Sequence, residues 1–251
     1  MRVFVLVSAI ICVQAMFNVT SINGYYSWNW GKGSEGADGA NNGVAFTGYT
    51  DVQKAIDQYQ TGAAWCCPEL KGTKWISLGG GNTAGLITEA SLKAISQQTD
   101  LITKAGYQGV MFDVEEVQGS ASVIVPAFSA AFVALKKAGL QTGVTTSHSA
   151  PYQTDTPEDA VAMVKAWAAD AYLDILSPQL YSSGSEGAPQ FDPTNSCKDA
   201  GCTWELYKGC KALFAPSIVA ASQYPAVQNF FQQNSSLAIP VAGFFQWAQT
   251  A

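Results

Sequence analysis

The run Gly109-Val110-Met111-Phe112-Asp113-Val114-Glu115-Glu116-Val117 carries the residues best suited to do chemistry. Side chains alternate faces along a β-strand, so Met111, Asp113 and Glu115 share one face and Val110, Phe112 and Val114 the other. Same-face neighbours on a strand stand roughly 6.6–7 Å apart, near enough for two carboxyls to perturb each other's ionisation. Asp113 and Glu115 thus form a candidate acid–base pair at the end of an apolar strand, with Met111 one layer deeper. The plain alternative is a strand that stops in a solvated acidic turn. Glu116 falls on the opposite face, toward solvent or a neighbouring helix. The lone histidine, His148, reads as a strand-end residue and not as a catalyst.

Such a pair needs a frame, and the chain supplies an alternating one. Lys74–Leu78 reads as a strand ending in Gly79-Gly80-Gly81. Thr88 caps a helix with Glu89 in its first turn, and Leu92, Ile95, Ile102 and Ala105 continue it to Gly106. Val123–Lys137 reads as a helix stopped by Gly139, and Gln141–Thr146 as a strand. Thr156-Pro157-Glu158-Asp159 opens the next helix with a cap, a proline at the first position and acids in the first turn. Strands are expected at Leu173–Tyr181, Phe214–Ala220 and Ile239–Trp247, and helices at Trp204–Leu213 and Tyr224–Gln233. Nearer the N-terminus, Ile22–Trp28 and Gly43–Phe46 read as strands and Asp51–Gln60 as a helix.

This alternation predicts an α/β fold with a parallel sheet and helices outside it. Eight strands in about 230 residues fit a single-domain (β/α)8 TIM barrel, its last outer helix missing because almost nothing follows Trp247. An open doubly wound sheet is the second choice; no G-x-G-x-x-G run follows the first strand, and polar residues end several strands spread along the chain.

Met1–Ala15 has a basic start at Arg2, an apolar stretch and a Val13-Gln14-Ala15 cleavage pattern, which reads as a secretory signal peptide. Residues 16–251 then form one domain, secreted and extracellular. With 48% hydrophobic and 13% charged residues the chain is a globular one. The net charge of −6, or −7 without Arg2, disfavours nucleic acid and anionic membranes as partners. Cys66, Cys67, Cys197, Cys202 and Cys210 are disulfide candidates in an oxidising compartment, the last three stapling one loop-rich stretch. Five is an odd number, so the pairing stays open. The cluster has no C-x-x-C pair, which weakens a zinc reading; neither metal nor cofactor is expected. Asn18 and Asn234 begin possible glycosylation sequons.

Two segments in register, Trp75-Ile76-Ser77-Leu78-Gly79-Gly80-Gly81 and Gly109–Glu115, resemble the strand 3 and strand 4 signatures of family 18 glycoside hydrolases, nearest the short hevamine-type class III chitinases. Trp30-Gly31-Lys32-Gly33-Ser34-Glu35-Gly36, Gln179-Leu180-Tyr181 and Gly243-Phe244-Phe245-Gln246-Trp247 resemble the loop after strand 1, the end of strand 6 and the closing strand. The resemblance implies retaining hydrolysis of β-linked N-acetylglucosamine glycans, in which the substrate's own acetamido oxygen attacks the anomeric carbon. By motif position Glu115 is the acid, Asp113 holds the acetamido N–H, and Tyr181 donates to the acetamido oxygen. Gln179, Trp247 and Gly80 fall at the substrate, Trp247 as the floor of the sugar subsite. In an arbitrary protein Tyr181 and Trp247 would be core packing.

The acidic pattern of the family, D-x-x-D-x-D-x-E, departs here at its first two members, Gln108 and Met111. Gln108 suits a structural hydrogen bonder outside the barrel lumen. Met111 replaces the deep aspartate that shares a proton with the middle one, while being an ordinary filler for a buried layer. Without that neighbour Asp113 is expected to stay ionised more readily. The implied function is a secreted chitin-type glycosidase with impaired or specialised activity. The alternatives are an inactive carbohydrate-binding protein or a structural glycoprotein on the same scaffold.

Overall fold

A computed structural model describes residues 21–28, 36, 38–60, 69–147, 149–193 and 197–247. The signal-peptide segment 1–15, Asn18, most of the Trp30–Gly36 motif, Cys66, Cys67 and His148 lie outside the described residues.

Among the described residues nine strand segments form one sheet of parallel neighbours: β1 (Ile22–Trp28), β2 (Asn42–Phe46), β3 (Thr73–Gly79), β4 (Gly109–Val114), β5 (Gln141–Thr146), β6 (Ile175–Pro178), β7 (Leu213–Phe214), β8 (Ser217–Ile218) and β9 (Gly243–Gln246). The ring runs from β6 down to β1, and β1 pairs β9. β7 pairs β6, whereas β8 pairs β9. These two are halves of one stave split at Pro216, which has no N–H to give a ladder. Ala215 N donates to Leu176 O on one side at 3.1 Å, and Phe245 N to Pro216 O on the other at 3.1 Å, so the split stave closes the barrel.

Among the described residues six α-helices pack outside: α1 (Val52–Gln60), α2 (Glu89–Gln97), α3 (Thr99–Lys104), α4 (Ala121–Lys137), α5 (Pro157–Ala169) and α6 (Tyr224–Gln233). Among the described residues no helix follows β9. The expected caps form. Thr88 and Ser91 exchange a capping box on α2, and Thr156 and Asp159 one on α5. Asp159 also accepts from Ala121 N at 2.6 Å, tying the start of α5 to that of α4.

Two expectations need correction. The helix read from Thr88 to Ala105 is two helices, broken at Gln98, whose backbone leaves the helical region. The helix read at Trp204–Leu213 is a single 3-10 turn, Trp204–Tyr207. Residues three apart eclipse on such a turn, so Trp204 and Tyr207 point together at Phe214, with ring centroids 6.3 and 5.4 Å away.

The period-two pattern sorts the core into two bodies. Val110, Phe112 and Val114 face the helices, where Phe112 meets Phe128 and Phe132 of α4 edge-on at 5.5 and 5.7 Å. Ile22, Tyr26, Trp75, Met111, Ile175 and Phe245 fill the lumen. Large residues there sit opposite small ones: Gly109 leaves room for the Trp75 ring and Gly143 for the Met111 thioether. Gln108 lies below the lumen, as expected; its side chain accepts from Lys74 N at 3.1 Å and its carbonyl from Gln141 N at 2.9 Å.

Cys197 and Cys202 are disulfide-bonded, and Cys210 is a half-buried free thiol among the described cysteines. Asn234 is exposed at the end of α6. Among the described residues no helix is long and apolar enough to cross a membrane, and no group of three or more His, Cys, Asp or Glu is arranged to hold a metal.

Candidate active site

Strand β4 delivers Asp113 to the lumen at the C-terminal rim of the barrel, paired in register with Gly79 of β3 and Thr145 of β5. Asp113 is fully buried and Glu115, just past the strand, is half-buried. The backbone beyond β4 stays ordered because both sides hold it: Ile87 N donates to Glu116 O at 3.0 Å, and Gln153 N to Glu115 O at 3.2 Å.

One amide joins the two carboxyls. Gln179 Nε2 donates to Glu115 Oε1 at 2.8 Å and to Asp113 Oδ1 at 3.3 Å. Gly80 N donates to the backbone carbonyl of Asp113 at 2.9 Å, so Gly80 braces the strand end. At Gly81 a Cβ would collide with Glu115 Oε2 and stand 2.7 Å from the Tyr152 hydroxyl, so with Glu115 and Tyr152 placed as they are the glycine leaves them room.

Burial raises the pKa of Asp113 well above the usual carboxylate range, and the charge of Glu115 adds to it. Burial raises Glu115 as well; the Gln179 hydrogen bond opposes this and the charge of Glu116 reinforces it. The pair therefore retains a proton where isolated carboxyls would have lost theirs. The absence of a deep aspartate does not by itself bring Asp113 back to the ordinary carboxylate range. Methionine brings no like charge, and the desolvation of a fully buried site still holds the Asp113 carboxyl up.

Above the pair opens a cavity of about 830 Å³, lined by Glu115, Gln179 and Tyr181 on one side and by Pro189, Phe191 and Lys198 of the β6–β7 loop on another. Tyr181 is buried, and burial pushes its hydroxyl pKa up. Its ring stacks on Trp247 at 6.0 Å and 24°. Half-buried Trp247 belongs to an aromatic cluster with Trp28 at 4.6 Å, Phe46 at 5.0 Å and Tyr26 at 5.6 Å. It borders the cavity through Tyr181 and is not itself among the lining residues. Below lies a layer of buried hydroxyls, in which Ser217 reaches Ser177 at 2.9 Å and Tyr26 at 3.4 Å.

The structure thus brings Asp113, Glu115, Gln179, Gly80 and Tyr181 together, with Trp247 behind Tyr181. Sequence reasoning missed Tyr152, which lines the same cavity and whose hydroxyl donates to Glu116 Oε1 at 2.6 Å; Glu116 itself is partly exposed and is not among the lining residues. The available signal was position, since Tyr152 lies just past the C-terminal end of a barrel strand, where functional residues of this fold collect.

No protein-family model matches the chain, and no curated protein matches it. Solved structures do. A Streptomyces coelicolor protein assigned as a chitinase A superposes with a TM-score of 0.52 at 13% identity over 92% of each chain. The spore cortex-lytic enzyme SleL of Bacillus megaterium superposes with a TM-score of 0.51 at 11% identity over 91% of this chain and 71% of its own. At such identities the likeness establishes the fold, a TIM-barrel-like architecture, and leaves function to the site.

Proposed function

We propose that the chain is a glycoside hydrolase acting on β-linked N-acetylglucosamine glycans of the chitin type, by retaining, substrate-assisted hydrolysis. The observation that carries this reading is the single Gln179 amide bonded to two carboxyls, Asp113 buried and Glu115 half-buried, at the base of an open cavity. A buried pair with raised pKa values is an arrangement suited to donating a proton near neutral pH.

In the proposed reaction the proton of Glu115 goes to the glycosidic oxygen as the C–O bond breaks. The acetamido carbonyl oxygen forms the new bond to the anomeric carbon, and Asp113 faces the acetamido nitrogen, where positive charge develops. Tyr181 donates its hydroxyl toward the acetamido group. Water then attacks the anomeric carbon, the bond from that carbon to the acetamido oxygen breaks and restores the free acetamido group, and the Glu115 carboxylate takes the proton the water releases. The secretory role rests on the Met1–Ala15 pattern.

A second reading, a binding protein without turnover, is favoured by one observation: Met111, packed over Gly143, fills the position of the carboxylate with which Asp113 would share a proton. Substituting Glu115→Gln separates the two. A hydrolase should lose at least ~10²-fold in turnover of N-acetylglucosamine oligomers with little change in their binding, because the amide keeps the shape and removes the proton. Equal cleavage by parent and variant would rule out Glu115 as the acid. Binding without cleavage by either would establish the binding protein.

A further inference from the structure

We propose that Tyr152, oriented by Glu116, is a sugar-recognition residue on the leaving-group side of Glu115, a role that rests on the glycosidase reading and names a further contact within it. The two oxygens of Glu115 face different neighbours. Oε1 is taken by Gln179, on the side of Tyr181. Oε2 points at Gly81, and the Tyr152 hydroxyl converges on the same place. The oxygen left to carry the acid proton is therefore the one beside Tyr152. The glycosidic oxygen it protonates must lie between the sugar held against Tyr181 and the sugar that departs, which puts the departing sugar toward Tyr152.

The ring has the chemistry for that contact. Tyr152 is 38% exposed, among the few large hydrophobic side chains that are not covered, and it opens onto the cavity. An aromatic face presented to a wet cavity suits the apolar C–H face of a pyranose while its polar tip stays bonded. That tip is fixed by Glu116 Oε1 at 2.6 Å. Both partners stand on rigid backbone, since Glu116 and Gln153 form a parallel bridge and Val117 N donates to Gln153 O at 2.9 Å. Glu116 is thus a positioning residue. It also raises the proton affinity of Glu115, so the clamp and the acid share one electrostatic environment.

The test is a set of variants assayed with an N-acetylglucosamine pentamer, for Kd by calorimetry and for KM and kcat where cleavage occurs. Tyr152→Ala is expected to raise Kd and KM about tenfold and to lower kcat less than threefold. Tyr152→Phe and Glu116→Ala each lose the tether and are expected to weaken binding about threefold, with the double variant no worse than either single one. Glu116→Gln keeps an acceptor and should recover most of the affinity lost in Glu116→Ala. A folded Tyr152→Ala protein with unchanged Kd and KM overturns the proposal, as does a loss confined to kcat, which would assign Tyr152 to the chemistry of Glu115. If the parent binds the pentamer without cleaving it, the hydrolase reading fails while the Kd series still decides Tyr152. If it neither binds nor cleaves, both fail.

Discussion

Position 111 is where the chemistry of a single side chain decides most. Met111 is fully buried and its sulfur lies over Gly143, so it packs as a lumen residue should. Its register partner Ser77 has a buried hydroxyl without a hydrogen-bond partner. An aspartate placed at 111 would meet that hydroxyl on one side and Asp113 on the other. Met111→Asp is therefore expected to fold with some loss of stability, of order 1–3 kcal/mol for a partly satisfied buried polar group. If catalysis is limited by the missing carboxyl, kcat on N-acetylglucosamine oligomers should rise. Thermal melts and kcat measured together distinguish the outcomes: unchanged activity per folded molecule makes the position packing only, and a stable variant without detectable cleavage locates the loss elsewhere.

The β6–β7 connection is the element that shapes the cavity, and it is held by local bonds. Ser182 N and Ser183 N donate to Glu186 Oε1 at 2.8 and 2.6 Å. Although burial pushes the Glu186 carboxyl up, these N–H groups hold it down at about 2. Gly184 in the same turn lies on the Trp247 indole, where any larger residue would strike the ring. Further along, Phe191 stacks on Phe230 of α6 at 3.9 Å, its carbonyl accepts from Trp204 Nε1 at 2.8 Å, and the Cys197–Cys202 bond closes the segment beside Lys198. Closing so short a loop is worth about 2 kcal/mol. Replacing both cysteines by alanine should lower stability by about that amount and expose the 197–202 segment to proteolysis. The measurable effect on function should fall on KM, with kcat nearly kept, since Asp113 and Glu115 stand on β4. A fall in kcat alone would mean that the loop takes part in the chemistry.

For the molecule as a whole, the buried carboxyl pair links folding to pH. Both carboxyls have pKa values raised in the folded state, so the fold binds more protons than the unfolded chain does. Their contribution to stability is complete below the ordinary carboxylate pKa and is lost as pH rises through the raised values. Each tenfold increase in proton affinity is worth about 1.4 kcal/mol. Asp113→Asn keeps an acceptor for Gln179 and removes the ionisation. It should raise the melting temperature relative to the parent at pH 8 and leave the difference small at pH 4. An equal effect at both values would mean that Asp113 does not carry the linkage.

Strand β4 was legible as sequence because a strand has a strict two-residue period: once Val110, Phe112 and Val114 are apolar and buried, Asp113 must face the other way. The caps at Thr88 and Thr156 were legible for a similar reason, since each is a bond between residues three apart. Alternating strands and helices implied a parallel sheet, because a parallel pair needs a crossover between its strands, and the number of strands with polar residues at several of their ends favoured the barrel. Other features depend on contacts between segments far apart in the chain. Gln179 bonds carboxyls 64 and 66 residues away, and Tyr152 reaches Glu116 across 36. The Trp204 turn takes its form from Phe214 and Phe231, which local propensity does not see. The ionisation of Asp113 could not be inferred from charge spacing alone either. It follows from desolvation, which is a property of everything packed around the site and exists only once the barrel has closed.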